Sequence, residues 1–197
     1  MHGAGELLDV SLRDFLDSVA SQDPTPGGGS AAALAVAMSA GLSAMVARAS
    51  EGWGDARAAT VQADRIRRRV APLAQLDAEA YEEALASMRL PQRLEPAVRE
   101  AALRGALERS VEAPLQIADA AADAACLAAE LAEHGAPGRR GDAVAAALLA
   151  EAAARIAAAL IEVNLTVVPN DPRVEQARNL AETARQAARR AASSTGP

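Results

Sequence analysis

From Ala31 to Ala47 the chain runs without one charged side chain, built largely of Ala, Ser and Gly. Such small residues are too weakly apolar to make a good membrane span, so the stretch reads as a buried helix. The rest of the sequence shares this bias. Hydrophobic residues make up 51% of it and aromatics only 2%, so the apolar mass is mostly Ala, Leu and Val. Alanine loses no side-chain entropy in a helix, and its small side chain lets helices approach closely. On the uncharged stretch Ala33, Ala37 and Gly41 recur every fourth residue, a face against which another helix can pack. The expectation is an all-α bundle of about five to six long helices. With 197 residues the chain is long enough to bury a sizeable core as a single domain over residues 1–197.

Proline, glycine and capping residues place the boundaries. The first helix is expected from Ser11, its N-cap, to Ala20, with Leu12, Phe15, Leu16 and Val19 on one face. A loop at Asp23-Pro24-Thr25-Pro26-Gly27-Gly28-Gly29 follows. Ser30 is then the expected N-cap of the uncharged helix, which ends near Ser50. A long helix is read from Asp55 to Arg89, closed by Leu90-Pro91. Another runs from Pro96 to Glu133, kinked or split by Pro114 and ended by Gly135 and Pro137. A fifth begins after Gly141, with Asp142 as N-cap, and reaches Val168. The last starts at Asp171-Pro172, an N-cap followed by proline at the first helical position, and ends in the turn of Arg185, Arg189 and Arg190. Residues 193–197 read as a frayed tail, and no strand is expected.

Charge and cysteine count narrow the function classes. A net charge of −6 and a pI near 5.0 predict no broad attraction to nucleic acid. The single cysteine, Cys126, rules out an intramolecular disulfide and suits a reducing, cytoplasmic compartment. Met1 to Asp9 has no charged-then-apolar signal pattern. Zinc chemistry needs more ligands than Cys126, His2 and His134 supply. An inert thiol is the ordinary state of a cysteine set among alanines.

Two features point towards a site. Three consecutive glycines ahead of a helix combine bare N–H donors with the positive end of the helix dipole, which suits an anion or a polar ligand edge. The segment is no P-loop, since no Lys follows. A tight turn feeding a closely packed helix explains it equally. The second feature is Asp77, which falls on the apolar stripe of Ile66, Val70, Leu73, Ala80, Ala84 and Met88, with Tyr81 one turn later. A carboxylate facing the interior needs a partner, and such groups mark either a functional cavity or a structural ion pair with a nearby Arg. Glu79 and Glu83 point elsewhere and read as surface. Asn164 lies at the edge of an apolar helix face, where a satisfied internal polar group is the commoner case.

Taken together, these residues resemble the cyclodeaminase/cyclohydrolase family of folate enzymes. The resemblance runs from about Phe15 to Leu165. It rests on Pro26-Gly27-Gly28-Gly29-Ser30, Asp77-Ala78-Glu79-Ala80-Tyr81, Met88-Arg89-Leu90-Pro91, Val111-Glu112-Ala113-Pro114-Leu115, Asp142 before an Ala/Val helix, and Asn164-Leu165. It implies an all-helical homodimer that binds a reduced folate without metal or nucleotide; no cofactor, nucleic-acid partner or membrane is expected. The implied chemistry is formation of 5,10-methenyltetrahydrofolate and ammonia from 5-formiminotetrahydrofolate (a lyase), or hydrolysis of the methenyl compound. Asp77 and Asp142 are the expected catalytic groups. Gly27, Gly28, Gly29, Ser30, Tyr81, Arg89, Arg140 and Asn164 are the expected ligand-binding residues. The chain departs from the family where it reads Gly52-Trp53-Gly54-Asp55-Ala56 in place of a basic pair with an aromatic. Gln92 stands for a Lys, Ala136 for an Asn and Gly141 for a Ser. These departures motivate the alternative of a non-catalytic folate-binding or dimerisation module with the same fold.

Overall fold

The computed structural model of the chain describes residues 7–166 and 168–194. Among them are eight α-helices and no strand: α1 Leu12–Val19, α2 Gly28–Ala49, α3 Ala56–Val70, α4 Leu73–Met88, α5 Pro96–Arg109, α6 Glu112–His134, α7 Arg140–Asn164 and α8 Pro172–Ser193. A short 3-10 turn, Pro137–Arg139, leads into α7. The all-α reading holds.

Two of the expected long helices are cut in two, and proline is the cause both times. Pro72 has no N–H to offer the carbonyl of Arg68, and its ring crowds that carbonyl. The run from Asp55 therefore stops at Val70 and restarts at Leu73. Pro114 acts the same way on the carbonyl of Ser110. The chain breaks at Ser110-Val111, and Pro114 sits in the first turn of α6, where no N–H is needed. Its place is a helix start rather than a kink.

The core centres on α6, which packs against α2, α7, α8, α3 and α4. Most of it is alanine. Ala118, Ala121, Ala125 and Ala128 of α6 are fully buried, as are Ala146, Ala150, Ala154 and Ala157 of α7. Ile117, Leu131, Ile161, Val36, Val46, Val70 and Val111 are the larger side chains that fill the remaining space. Helices faced with alanine approach to the short end of the usual spacing of roughly 8–10 Å. Two serine hydroxyls use that closeness to tie α2 to its neighbours: Ser39 Oγ donates to the Ala146 carbonyl of α7 (2.7 Å) and Ser30 Oγ to the Ala74 carbonyl of α4 (2.7 Å).

Several local expectations change. α2 starts one turn early, with Gly27 as N-cap, and Ser30 lies inside the helix with its hydroxyl taken by α4. The packed face of α2 is Ala33, Val36, Ala40, Ala44 and Ala47. Ala37 is only half-buried, and open space surrounds Gly41. Leu12, Leu16 and Val19 are exposed and only Phe15 of α1 turns inward; Met88 too is exposed. Because the 3-10 turn feeds directly into α7, that helix is capped at Arg139. Asp142 therefore sits in its first turn and pairs with Arg139 (3.6 Å) instead of capping. α7 ends at Asn164, short of Val168. α8 begins as expected, the Asp171 side chain accepting from the Arg173 N–H (2.9 Å) with Pro172 at the first position. Ser193 closes α8 and is not frayed; residues 195–197 of the expected tail, like residues 1–6, lie outside the described residues.

By length and composition α2 and residues 137–164 could each cross a membrane. In this fold they lie side by side and antiparallel, with inner faces in the core: a Cβ at Gly28 would touch Ile156 and Leu160, and Ser39 reaches Ala146.

Candidate active site

The start of α2, the first half of α4, the α5–α6 break and the end of α7 meet around a cavity of about 260 Å³. The start of α2 contributes Gly27, Gly28 and Gly29, and the preceding loop Pro24 and Thr25. α4 contributes Asp77 and Tyr81; the α5–α6 break contributes Ser110; the end of α7 contributes Leu160, Val163 and Asn164. The structure thus gathers six of the expected residues, Gly27, Gly28, Gly29, Asp77, Tyr81 and Asn164, from three distant parts of the sequence.

Among the described residues Asp77 is the one charged side chain on this lining. It is half-buried, and among the described residues it forms no ion pair, so the reading of a structural pair with Arg falls. Burial without a counter-charge pushes its carboxyl up to about 6, while the Ser30 backbone N–H pulls in the other direction by donating a hydrogen bond to the carboxylate. That N–H belongs to the first turn of α2, whose amides have no carbonyl a turn earlier to bond. The first intrahelical bond is from Ala31 N–H to the Gly27 carbonyl (3.0 Å).

The glycines do not share one role. None adopts a left-handed backbone, so the run is not there to make a sharp turn. A Cβ at Gly28 would make an ordinary contact with Ile156 Cγ2 at 3.8 Å. A Cβ at Gly29 would overlap the carboxyl group of Asp77. Gly29 is therefore glycine because Asp77 lies where its side chain would be. The carboxyl group rests against the bare backbone of the α2 terminus, and this contact strips it of water.

At the other wall, Asn164 Nδ2 donates to Ser110 Oγ (3.0 Å), and Ser110 Oγ donates to the Leu107 carbonyl (2.8 Å). Thr25 Oγ1 donates to Glu82 Oε1 (2.7 Å), which fastens the loop to α4. Ser30 stands behind the lining, fully buried. The remaining expected residues lie elsewhere. Arg89 caps the far end of α4, roughly 18 Å along the helix from Asp77. Arg140 and Asp142 are in the first turn of α7, roughly 33 Å from Asn164. Ser110 and Thr25 escaped the sequence reading because each is a lone hydroxyl in a break or loop. Glu83 is an exposed partner of Arg109, and Glu79 accepts from Gln75 Nε2 (2.9 Å). Cys126 is half-buried, with desolvation raising its thiol pKa, and His134 stacks on Trp53 with ring centroids 6.1 Å apart. Among the described residues no three His, Cys, Asp or Glu side chains gather as a metal site.

Comparison with known proteins adds the family. The profile of formiminotransferase-cyclodeaminase matches residues 11–183. The chain belongs to this family. A methenyltetrahydrofolate cyclohydrolase of Methylorubrum extorquens is 32% identical over 92 residues, 43% of this chain and 44% of that protein. The match thus spans less than half of that relative. The crystal structure of formiminotetrahydrofolate cyclodeaminase from Thermotoga maritima superimposes with a TM-score of 0.83 at 24% identity, covering 94% of this chain and 96% of that one. That likeness establishes the fold.

The contact between Gly29 and Asp77 can be probed by substitution at both positions. Gly29→Ala is expected to cost about 1–3 kcal/mol in urea unfolding, as overpacking does. Gly28→Ala should be neutral or stabilising by up to about 1 kcal/mol. Adding Asp77→Ala to Gly29→Ala should recover part of the loss, and equal costs at both glycines would contradict the steric assignment.

A second prediction concerns pH. A carboxyl group whose folded pKa is raised above the unfolded value leaves stability unaffected below the unfolded pKa and weakens it as pH climbs through the folded one. Asp77→Asn should therefore match the parent near pH 4 and exceed it at pH 8. The expected gap is about 1–2 kcal/mol, after discounting for solvent screening of a half-buried group. A gap that does not change with pH would contradict the desolvated carboxyl.

Proposed function

We propose that this chain is a metal-free folate one-carbon enzyme, a 5-formiminotetrahydrofolate cyclodeaminase, with Asp77 as its acid and base. The observation that carries this reading is a lone carboxyl group with its pKa raised to about 6, which among the described residues has no cationic partner and shares its cavity with no other charge. A cation is what such a site lacks. The formimino group, protonated as an amidinium, supplies one.

In the proposed reaction N10 attacks the formimino carbon and a C–N10 bond forms. Asp77 takes the N10 proton and passes it to the departing nitrogen. The old C–N bond breaks, ammonia leaves, and the positive charge spreads over N5, the carbon and N10 of 5,10-methenyltetrahydrofolate. One carboxyl group serves both proton transfers, and a pKa near the working pH suits it to both. Its negative charge, poorly hydrated, steadies the cation on either side of the step. The α2 amides and Tyr81 would orient the ligand. Among the described residues the lining carries no His or Cys and one carboxylate, a donor set too small for a bound metal ion; no cofactor is invoked. Asp142, Arg140 and Arg89 stay outside this cavity, and the proposal gives them no part in the chemistry at Asp77.

The second reading, methenyltetrahydrofolate cyclohydrolase, is favoured by the name of the Methylorubrum relative; there Asp77 would orient a water towards the methenyl carbon. A non-catalytic folate-binding module is the third, motivated by the missing basic residues around Gly52 and at Gln92. The purified protein should convert 5-formiminotetrahydrofolate with appearance of the methenyl near-ultraviolet chromophore. Activity should climb with pH through about 6, and Asp77→Asn should lower it by about 10²–10⁴-fold. Loss of the chromophore from added methenyltetrahydrofolate, without ammonia release from the formimino compound, would select the cyclohydrolase. Binding without either turnover would select the module.

The same reading makes the protein a cytoplasmic homodimer that uses neither membrane nor nucleic acid. The outward faces of α2 and α7 suit a second copy. They lie side by side and expose Met38, Met45 and Leu148, on a stretch of α2 with no charge before Arg48. Met38→Arg with Leu148→Arg should halve the mass seen in sedimentation; an unchanged mass would move the interface elsewhere.

A further inference from the structure

Asn164 can present either end of its amide to the cavity, and the hydrogen bonds behind it decide which. Ser110 is 3% exposed and held at the end of α5 by the break that Pro114 imposes. Its hydroxyl proton is committed to the Leu107 carbonyl at 2.8 Å. A hydroxyl with its proton so engaged can only accept from a further neighbour. It accepts from Asn164 Nδ2 at 3.0 Å. The amide is thereby held with Nδ2 towards Ser110 and Oδ1 left for the cavity that both residues line.

We infer that Ser110 is a positioning residue that turns Asn164 into a hydrogen-bond acceptor for an N–H group of the ligand. This inference rests on the folate reading above and says which end of the molecule enters. The lining then offers Asn164 Oδ1 and the Asp77 carboxylate as acceptors and the first-turn amides of α2 as donors, with no Arg or His among the described residues. An anionic glutamate tail finds no counter-charge there. A fused ring bearing both ring N–H and carbonyl groups matches the alternation, and about 260 Å³ is a volume for such a ring rather than for a whole folate. The ring end of the reduced folate therefore occupies the cavity, with the tail directed out of it.

Calorimetric titration with three probes tests this: 5-formyltetrahydrofolate, 6-methyltetrahydropterin as the ring alone, and p-aminobenzoylglutamate as the tail alone. The parent protein should bind the first two and not the third. Ser110→Ala should weaken both by about tenfold, raising KM with little change in kcat, and Ser110→Thr, which keeps the hydroxyl, should restore them. Side-chain amide resonances of Asn164 should lose their hydrogen-bonded shift in Ser110→Ala while the far-ultraviolet spectrum stays that of the parent. Unchanged ring affinity in a folded Ser110→Ala protein would overturn the role of Ser110 and leave the folate reading standing. Failure of the parent protein to bind either 5-formyltetrahydrofolate or the ring would remove the folate reading and this inference with it.

Discussion

The contact between the Asp77 carboxyl group and the backbone of Gly29 is the constraint on which the site depends. It joins the start of α2 to the second turn of α4, and it does so through an ionisable group that a side chain at position 29 would displace. Removing water from a carboxylate is unfavourable, and here the compensation is partial: one backbone N–H, from Ser30, and the positive end of a helix. The balance puts the midpoint of its ionisation at about 6, close enough to neutral pH for both protonation states to be populated. The same helix turn buries Ser30 and fixes its hydroxyl on α4, so the distance between the two helices is held from both sides of the carboxyl group.

An alanine core makes this geometry available. Large core side chains would hold α2, α4, α6 and α7 further apart, and hydrogen bonds from serine hydroxyls to the carbonyls of a neighbouring helix, as at Ser39 and Ser30, would not form. Each alanine buries little apolar surface, so the fold relies on many close contacts spread over long helices rather than on a few large anchors. The bulkiest of the fully buried side chains, Ile117, Leu131 and Ile161, lie on α6 and α7, which pack against each other.

Much of this was legible in the residues. Alanine content and the spacing of Gly and Pro gave the helical class, and Asp171-Pro172 and Ser11 marked helix starts that the structure keeps. Asp77 stood out because a carboxylate interrupted an apolar stripe. What escaped depends on contacts between distant segments. That Gly29 alone of three glycines is sterically required follows from where α4 lies, which no local pattern encodes. Pro72 reads as one proline in a strong helical run, yet its clash with the carbonyl of Arg68 outweighs the propensity of its neighbours. Asp142 carries a capping residue's chemistry but is displaced into the first turn by the 3-10 segment before it. Ser110 offers no signal of its own; it matters through Asn164, which lies 54 positions away.

Direct titration of the Asp77 carboxyl carbon by ¹³C nuclear magnetic resonance, with Asp77→Asn to assign the signal, addresses the central claim without reference to any substrate. A midpoint near 6 in the parent protein, falling towards the ordinary carboxylate value in Gly29→Ala as the group is pushed into solvent, is the result this account predicts. A midpoint near 4 in the parent would mean that the carboxyl group is well hydrated, and the reading of Asp77 as the proton carrier of the site would not stand.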